Sequence, residues 1–390
     1  MKVAMLDPSL FTARYDDSLC AALAQRGHDV RLVARPMRET DAIVPRGYEY
    51  VPRFFRVGEF ARGLVGEGLP GKVVKALEYS LDAMLGSHRA LDAELVHAQW
   101  LPFAWADGRL LNRLRGRTAL VHTVHNAQAF HGDATAAVQG RGYLALLRHF
   151  DALIVHGEAT RAAIEGRQIE MDRVHLVPHP PMQLAEATPE DLAVVPPKAA
   201  NVPRVLFFGT IRPYKGLDLL IEAAINLWKD GHDFELAIAG KPFIPVEAQL
   251  GKIRGAGFSH RLIADLGFLP ESRLDAHLKR ADVIAFPYRS IDSSGAFLSA
   301  LGYGAAMVTS DAGMFGELGK GDVARFPAGD ATALTEALRP LVGGVAARAL
   351  FSEAAKALDA RLGGWSHAAA DTERVYEAAL ANFAERKGRA

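Results

Sequence analysis

Along this chain of 390 residues, short apolar runs alternate with helix-length segments twice over, on either side of a stretch in which seven of the twenty prolines fall between Pro178 and Pro203. Alternation of this kind builds parallel βαβ units, with helices covering both faces of a sheet. The first series runs Lys2–Leu6, a helix over Tyr15–Arg26 ended by Gly27, Asp29–Ala34, Glu94–His97, a helix near Ala106–Arg115, Ala119–Val124, a helix around Arg141–His149, Ala152–Val155 and Val174–Val177. The second runs Arg204–Phe208, the helix Leu217–Trp228, Phe234–Ala239, a helix from Pro245 to about Arg254, Arg261–Asp265, Glu271–Arg280, Val283–Phe286, Gly295–Tyr303, Ala306–Ser310 and Val323–Phe326. Proline at that density breaks regular structure. The prediction is therefore an α/β protein of two doubly wound domains, residues 1–180 and 204–364, joined by a linker at 181–203 and facing across a cleft, with a helix at 365–390 packing back on the first domain. Ligands of such sheets bind outside the carboxyl ends of the strands.

Composition narrows the ligand. Lys plus Arg (45) equals Asp plus Glu (45), so no global field favours nucleic acid, and any bound anion is small and locally recognised. The lone cysteine, Cys20, excludes an intrachain disulfide framework and a cysteine-based zinc site, and fits a reducing cytoplasm. Met1–Leu10 reads as a first strand broken at Asp7-Pro8 rather than as a leader. No apolar run approaches the roughly 20 residues that span a bilayer.

Three stretches carry chemistry. In Phe207–Ala224 a buried strand breaks at Gly209, a loop presents Thr210, Arg212 and Lys215, and Gly216 opens an apolar helix. A strand feeding a helix N-terminus leaves unpaired N–H groups under a favourable dipole, and two cations raise the fit to a diphosphate. The plainer reading is that Arg212 and Lys215 cap a surface turn. In Phe286–Gly304 a second strand runs through a polar loop into a helix near Ser294-Gly295, where Ser293 or Ser294 caps the helix, binds a ligand oxygen, or both. At the end of a strand in Val121–Asn126, His125 and Asn126 overlook the expected cleft, and a histidine there orients a hydroxyl or exchanges a proton. The chain holds fourteen histidines, and a lone histidine is more often structural than functional. No G-x-G-x-x-G follows the first strand, and no P-loop, G-x-S-x-G or H-E-x-x-H occurs. No carboxylate cluster suggests a metal site.

With these residues in view, the chain resembles the retaining, nucleotide-sugar-dependent glycosyltransferases of group 1 (family 4-like), built from two Rossmann-like domains in the B-type fold and common in bacterial polysaccharide and glycolipid synthesis. Phe208–Gly216 is similar to that family's diphosphate loop, and Phe286-Pro-Tyr with Ser294-Gly295 to a variant of its second donor loop. Ala306–Leu318 resembles the strand and turn that follow, with Glu317 at the acidic position. His97-Ala-Gln-Trp100 and Thr123–Asn126 are similar to its N-domain motifs, and Trp365 begins what looks like its last helix.

The resemblance implies transfer of a hexose-type sugar with retention. Arg212 and Lys215 would neutralise the donor diphosphate in place of a metal, amides at Ser294-Gly295 would help hold the donor, and His125 would sit by the sugar. Gly209, Thr210, Ser293 and Glu317 complete the donor side, while Tyr15, His97, Trp100 and Asn126 fall on the acceptor side. No cofactor is implied, and a UDP-sugar is favoured over a GDP-sugar as substrate. Two departures stand out: Ile291 and Ser299 replace a pair of glutamates, and Thr210 replaces an arginine.

Between Arg46 and Lys75, six basic residues against three acidic ones are interleaved with Phe54, Phe55, Phe60 and several aliphatics, a pattern that docks on anionic membranes or simply solvates a face. A cytoplasmic enzyme, peripheral at the inner leaflet and acting on a saccharide or polyprenyl-linked saccharide, is the resulting expectation. A sugar-nucleotide epimerase and a catalytically silent nucleotide-sugar-binding protein are the alternatives.

Overall fold

The computed structural model describes residues 1–38, 41, 43–65, 69–85, 87–125, 142–165 and 169–389. The chain forms two compact units, Met1–His179 with Gly364–Ala390, and Pro180–Gly363.

In the first unit seven parallel strands, β1 (Lys2–Asp7), β2 (Asp29–Ala34), β3 (Glu49–Pro52), β4 (Leu95–Ala98), β5 (Ala119–Val124), β6 (Ala152–Val155) and β7 (Val174–Leu176), are ordered β3-β2-β1-β4-β5-β6-β7. The winding direction reverses between β1 and β4, which pair from Val3 with Leu95 to Leu6 with Ala98. Both strands are buried on both faces, as expected of a parallel sheet covered on both sides. Edge strand β3 was not foreseen. Its four residues, EYVP, are half exposed, too short and polar to show a strand period, and they end on a proline suited to an edge. Helices Arg56–Val65 and Leu69–Leu85 occupy much of the segment read as basic and interleaved.

The last helix, Trp365–Gly388, lies on helix Ala13–Gln25 and strands β5 and β6. Ala369, Val375, Tyr376 and Ala379 are buried in the same cluster as Met5, Leu19 and Val121. Arg386 clamps this end, pairing with Asp151 at 2.9 Å and donating to the Arg115 carbonyl at 2.6 Å.

The second unit holds six parallel strands, β8 (Arg204–Phe208), β9 (Glu235–Gly240), β10 (Leu262–Leu266), β11 (Val283–Phe286), β12 (Ala306–Ser310) and β13 (Ala324–Phe326), ordered β10-β9-β8-β11-β12-β13. Here the reversal falls between β8 and β11. Helix Leu217–Lys229 buries Leu217, Leu220, Ile221, Leu227 and Trp228 in the core.

The proline-rich segment groups with the second unit from Pro180 onward. Thr188 and Asp191 form a reciprocal capping box on the helix Pro189–Val194, satisfying donors at its start. The buried Arg204 guanidinium pairs with Glu235 at 2.8 Å and takes the carbonyls of Pro196 at 2.9 Å and Pro197 at 3.3 Å. Apart from that helix the stretch from Pro180 to Pro203 forms no helix or strand, and side chains of the same unit supply its partners instead.

Candidate functional site

In the second unit the loops after β8 and β11 emerge side by side at the reversal point, where such sheets bind ligands. The backbone continues past β8: the Gly209 amide donates to Ala239 O at 2.9 Å and that of Ile211 to Lys241 O at 2.8 Å. Pro213–Lys215 then forms one tight 3-10 turn, and Gly216, at φ +68°, swings the chain into helix Leu217–Lys229. A Cβ on Gly216 would lie 1.9 Å from the Pro287 carbonyl oxygen. Only glycine therefore lets the two loops touch here.

Lys215 is 7% exposed. Its ammonium stands 5.2 Å from the Tyr288 ring centroid, with no carboxylate partner among the described residues. Burial, aided by the nearby Arg212 charge, holds its pKa below that of an ordinary lysine. The Arg212 guanidinium rests 4.2 Å above the Phe243 ring, also without a carboxylate partner among the described residues. Thr210 is exposed. Two cations without a carboxylate partner among the described residues, one of them buried, beside the start of a long helix form a site that favours an anion of more than one charge.

The second loop is fastened on both sides. Ser294 is the N-cap of the helix Gly295–Leu301, its hydroxyl accepting from the Phe297 amide at 3.2 Å, and its own amide donates to Met314 Sδ at 3.0 Å. That N–H is thus engaged with sulfur. Ser293 and Gly295 are partly buried, and a Cβ on Gly295 would come within 3.1 Å of Met182 Cε. Gly313, at φ +49°, approaches so closely that a Cβ would lie 1.5 Å from Ile291 O. Beyond it, exposed Glu317 ends the short helix Met314–Glu317. Ile291 packs against the core and Ser299 is buried.

One residue in this loop escaped the sequence reading. Arg289 donates from its amide to Tyr214 O at 2.6 Å and from Nη1 to Pro213 O at 3.2 Å, and its guanidinium grips Asp218 at 2.8 and 2.6 Å. An arginine in a polar loop beside Ser294-Gly295 was visible in the sequence, but its partner 71 residues away was not.

In the first unit His125 follows β5 and is 9% exposed. Its Nε2–H donates to Gln99 Oε1 at 2.9 Å, because the Gln99 amide nitrogen is turned toward Met5 Sδ at 2.9 Å and His97 Nε2 at 3.2 Å. Nδ1 is left as the acceptor. Burial first, then the neighbouring His156, His179, His122 and His97, push its pKa well below the usual histidine value, so the ring is neutral near pH 7. Tyr15 meets it edge-on at 4.8 Å and also borders His156, His179 and Trp365.

His97 is fully buried. Its ring nitrogens meet Tyr376 Oη at 2.8 Å and Thr123 Oγ1 at 2.7 Å, and Gln99 Nε2 lies 3.2 Å from its Nε2. Trp100 is 7% exposed and stacks at 4.3 Å on Phe11, itself 64% exposed at the β1–β4 reversal. Phe11 and Gln99 carried no signal of their own in the sequence. Asn126 lies outside the described residues.

Elsewhere in this unit an open groove of about 1420 Å³ is lined by Met37, Val57, Phe60, Val74, Leu77 and Leu81, with Arg53 and Arg56 alongside. Among the described residues no group of three or more His, Cys, Asp or Glu is placed to hold a metal ion, and no helix is long and apolar enough to cross a membrane.

Comparison with known proteins matches both units. Residues 12–180 fit the family model described as glycosyl transferase 4-like domain, and residues 202–343 that of glycosyl transferases group 1. The D-inositol 3-phosphate glycosyltransferase of Nocardia farcinica is 28% identical over 322 residues, covering 75% of this chain and 67% of that protein. The GDP-mannose:glycolipid 4-beta-D-mannosyltransferase of Xanthomonas campestris pv. campestris is 32% identical over 100 residues, 25% of this chain and 27% of that one. Among solved structures, Anabaena HepE in complex with UDP and glucose superposes with a TM-score of 0.68 at 15% identity, covering 96% of this chain and 98% of that one, which shows the shared B-type fold. With a matched family model on each unit and this fold throughout, the chain belongs to the group 1 glycosyltransferases.

Proposed function

We propose that this glycosyltransferase moves a hexose-type sugar from a nucleoside-diphosphate donor to a saccharide or lipid-linked saccharide, with retention of configuration. The observation that carries the proposal is Lys215, a buried ammonium with no carboxylate partner among the described residues, set beside Arg212 just ahead of a helix N-terminus. As the bond between the anomeric carbon and the diphosphate oxygen breaks, its electron pair passes to the leaving nucleoside diphosphate. Arg212, Lys215 and the dipole of the helix that follows them stabilise that growing charge. The acceptor hydroxyl then bonds to the oxocarbenium-like carbon on the face just vacated and gives its proton to the leaving phosphate oxygen. Neutral His125 is assigned to hold the sugar through Nδ1, with Gln99 fixing its tautomer. Gly209, Thr210, Ser293, Ser294, Gly295 and Glu317 are assigned to the donor, and Tyr15, Trp100 and Phe11 to the acceptor side. Diphosphate neutralisation falls to side-chain cations, with no cofactor called for.

The donor base is proposed as uracil, supported by HepE having been solved with UDP, while the Xanthomonas relative is named for GDP-mannose. The test is a thermal-shift screen of UDP, GDP, ADP and their sugars, followed by product analysis, since a ligand of the native state raises apparent stability with occupancy. A protein that binds none of them contradicts the proposal. An altered free nucleotide sugar in place of a glycosylated acceptor would identify an epimerase.

Peripheral contact with an anionic inner leaflet, from a cytoplasmic location, is proposed on the exposed apolar Val57, Phe60, Leu77 and Leu81, beside which Arg38, Arg53 and Arg56 are matched by Glu59, Glu78 and Asp82. Co-sedimentation with phosphatidylglycerol vesicles at low salt tests it, and absence of binding there removes it.

A further inference from the structure

We propose that Arg289 is a positioning residue of the diphosphate site, which tethers the turn carrying Arg212 and Lys215 and masks the carboxylate of Asp218 from the donor; this rests on the diphosphate assignment above. The turn Pro213–Lys215 packs through Tyr214 on Tyr288, at 6.0 Å between ring centroids, but has few hydrogen bonds of its own. Its closing bonds are Lys215 N to Arg212 O at 3.1 Å and Gly216 N to Pro213 O at 3.4 Å. Two of its carbonyls are instead taken by one residue of the neighbouring loop, Pro213 O by Arg289 Nη1 at 3.2 Å and Tyr214 O by the Arg289 amide at 2.6 Å.

The guanidinium also completes a two-pronged contact with both oxygens of Asp218, at 2.8 and 2.6 Å. Asp218 lies in the first turn of helix Leu217–Lys229. A carboxylate there stabilises the helix but repels a diphosphate drawn to the same N-terminus. With side chains 37% and 39% exposed, the pair adds little to stability as an isolated ion pair. Its fork geometry is well suited to cancelling one charge at one place. The Arg289 bond holds Asp218 ionised below the ordinary carboxylate range, so the charge to be masked is present at every pH at which the enzyme would work.

A four-variant cycle tests this by calorimetry with UDP, GDP and ADP. Arg289→Ala is expected to weaken the diphosphate that the wild type binds by about tenfold. Asp218→Asn alone is expected to leave binding equal or tighter, and Arg289→Ala with Asp218→Asn to recover much of the loss. Arg289→Lys, which keeps the charge without the fork, should fall between. Unchanged binding in Arg289→Ala overturns the inference, as does weaker binding in Asp218→Asn, or losses that merely add in the double variant as a purely structural role requires. If the wild type binds none of the three nucleotides, the diphosphate assignment fails first, and Arg289 with it. Circular dichroism of each variant confirms that folded protein is compared, and Asp218→Asn keeps the test decisive if Arg289→Ala does not fold.

Discussion

Lys215 owes its character to where it is buried. An ammonium removed from water without a counterion gives up its proton more readily, which is the direction its surroundings impose. A bound diphosphate reverses that by favouring the charged form. Donor affinity is therefore predicted to fall on the alkaline side before the ordinary lysine value of 10.5 is reached, and Lys215→Arg is predicted to flatten the decline, both read from nucleotide titrations between pH 7 and 10. Lys215→Ala and Arg212→Ala should each reduce transfer on the order of a hundredfold in steady-state kinetics; unchanged rates in both would remove the leaving-group mechanism. His125 belongs to a different class of residue. Because it is neutral near pH 7 and held by Gln99, His125→Ala should lower turnover more than affinity for the bare nucleotide. Equal losses in both would mark it as structural.

At the scale of elements, the loops work because they are joined. Gly216 sits under the Pro287 carbonyl and Gly313 against that of Ile291, so the second loop is wedged between its neighbours. Gly216→Ala would require both a positive φ and displacement of backbone, and is predicted to cost at least about 2 kcal/mol in urea unfolding, together with loss of nucleotide binding. Removing the Ser294 cap should cost only about 1 kcal/mol. Much of this scale was legible. Helices and strands of the second unit begin and end within a few residues of their sequence expectations, since buried parallel strands and apolar helices carry strong periods. Strand β3 was illegible because an edge strand of EYVP has no period to read. The Arg289–Asp218 pair and the Gln99–His125 bond were hidden for another reason: each joins residues far apart in sequence, and no local pattern specifies which distant side chain a polar group will meet. Lys215 and Arg212 were legible because strand, glycine, cations and helix are contiguous.

Across the whole molecule, the first unit is assembled from both ends of the chain, with the second unit inserted between them. Deleting residues 364–390 would strip Val375 and Tyr376 from its core and Arg386 from Asp151. The two apolar side chains alone account for about 4 kcal/mol, a large part of what usually holds such a domain. The truncated protein is predicted to lose the first unit's cooperative melting transition while keeping nucleotide binding by the second; retention of both transitions would refute this. The same connectivity sets an order of events on the ribosome. Every strand of the first sheet emerges early, yet the core on the side of Met5, Leu19 and Val121 stays incomplete until the Trp365–Gly388 helix is made. The unit containing Arg212 and Lys215 is already complete by then. During synthesis the second unit is thus predicted to reach its native state before the first, whose partly uncovered sheet is expected to be prone to capture by chaperones or to aggregation, as limited proteolysis of stalled nascent chains would show.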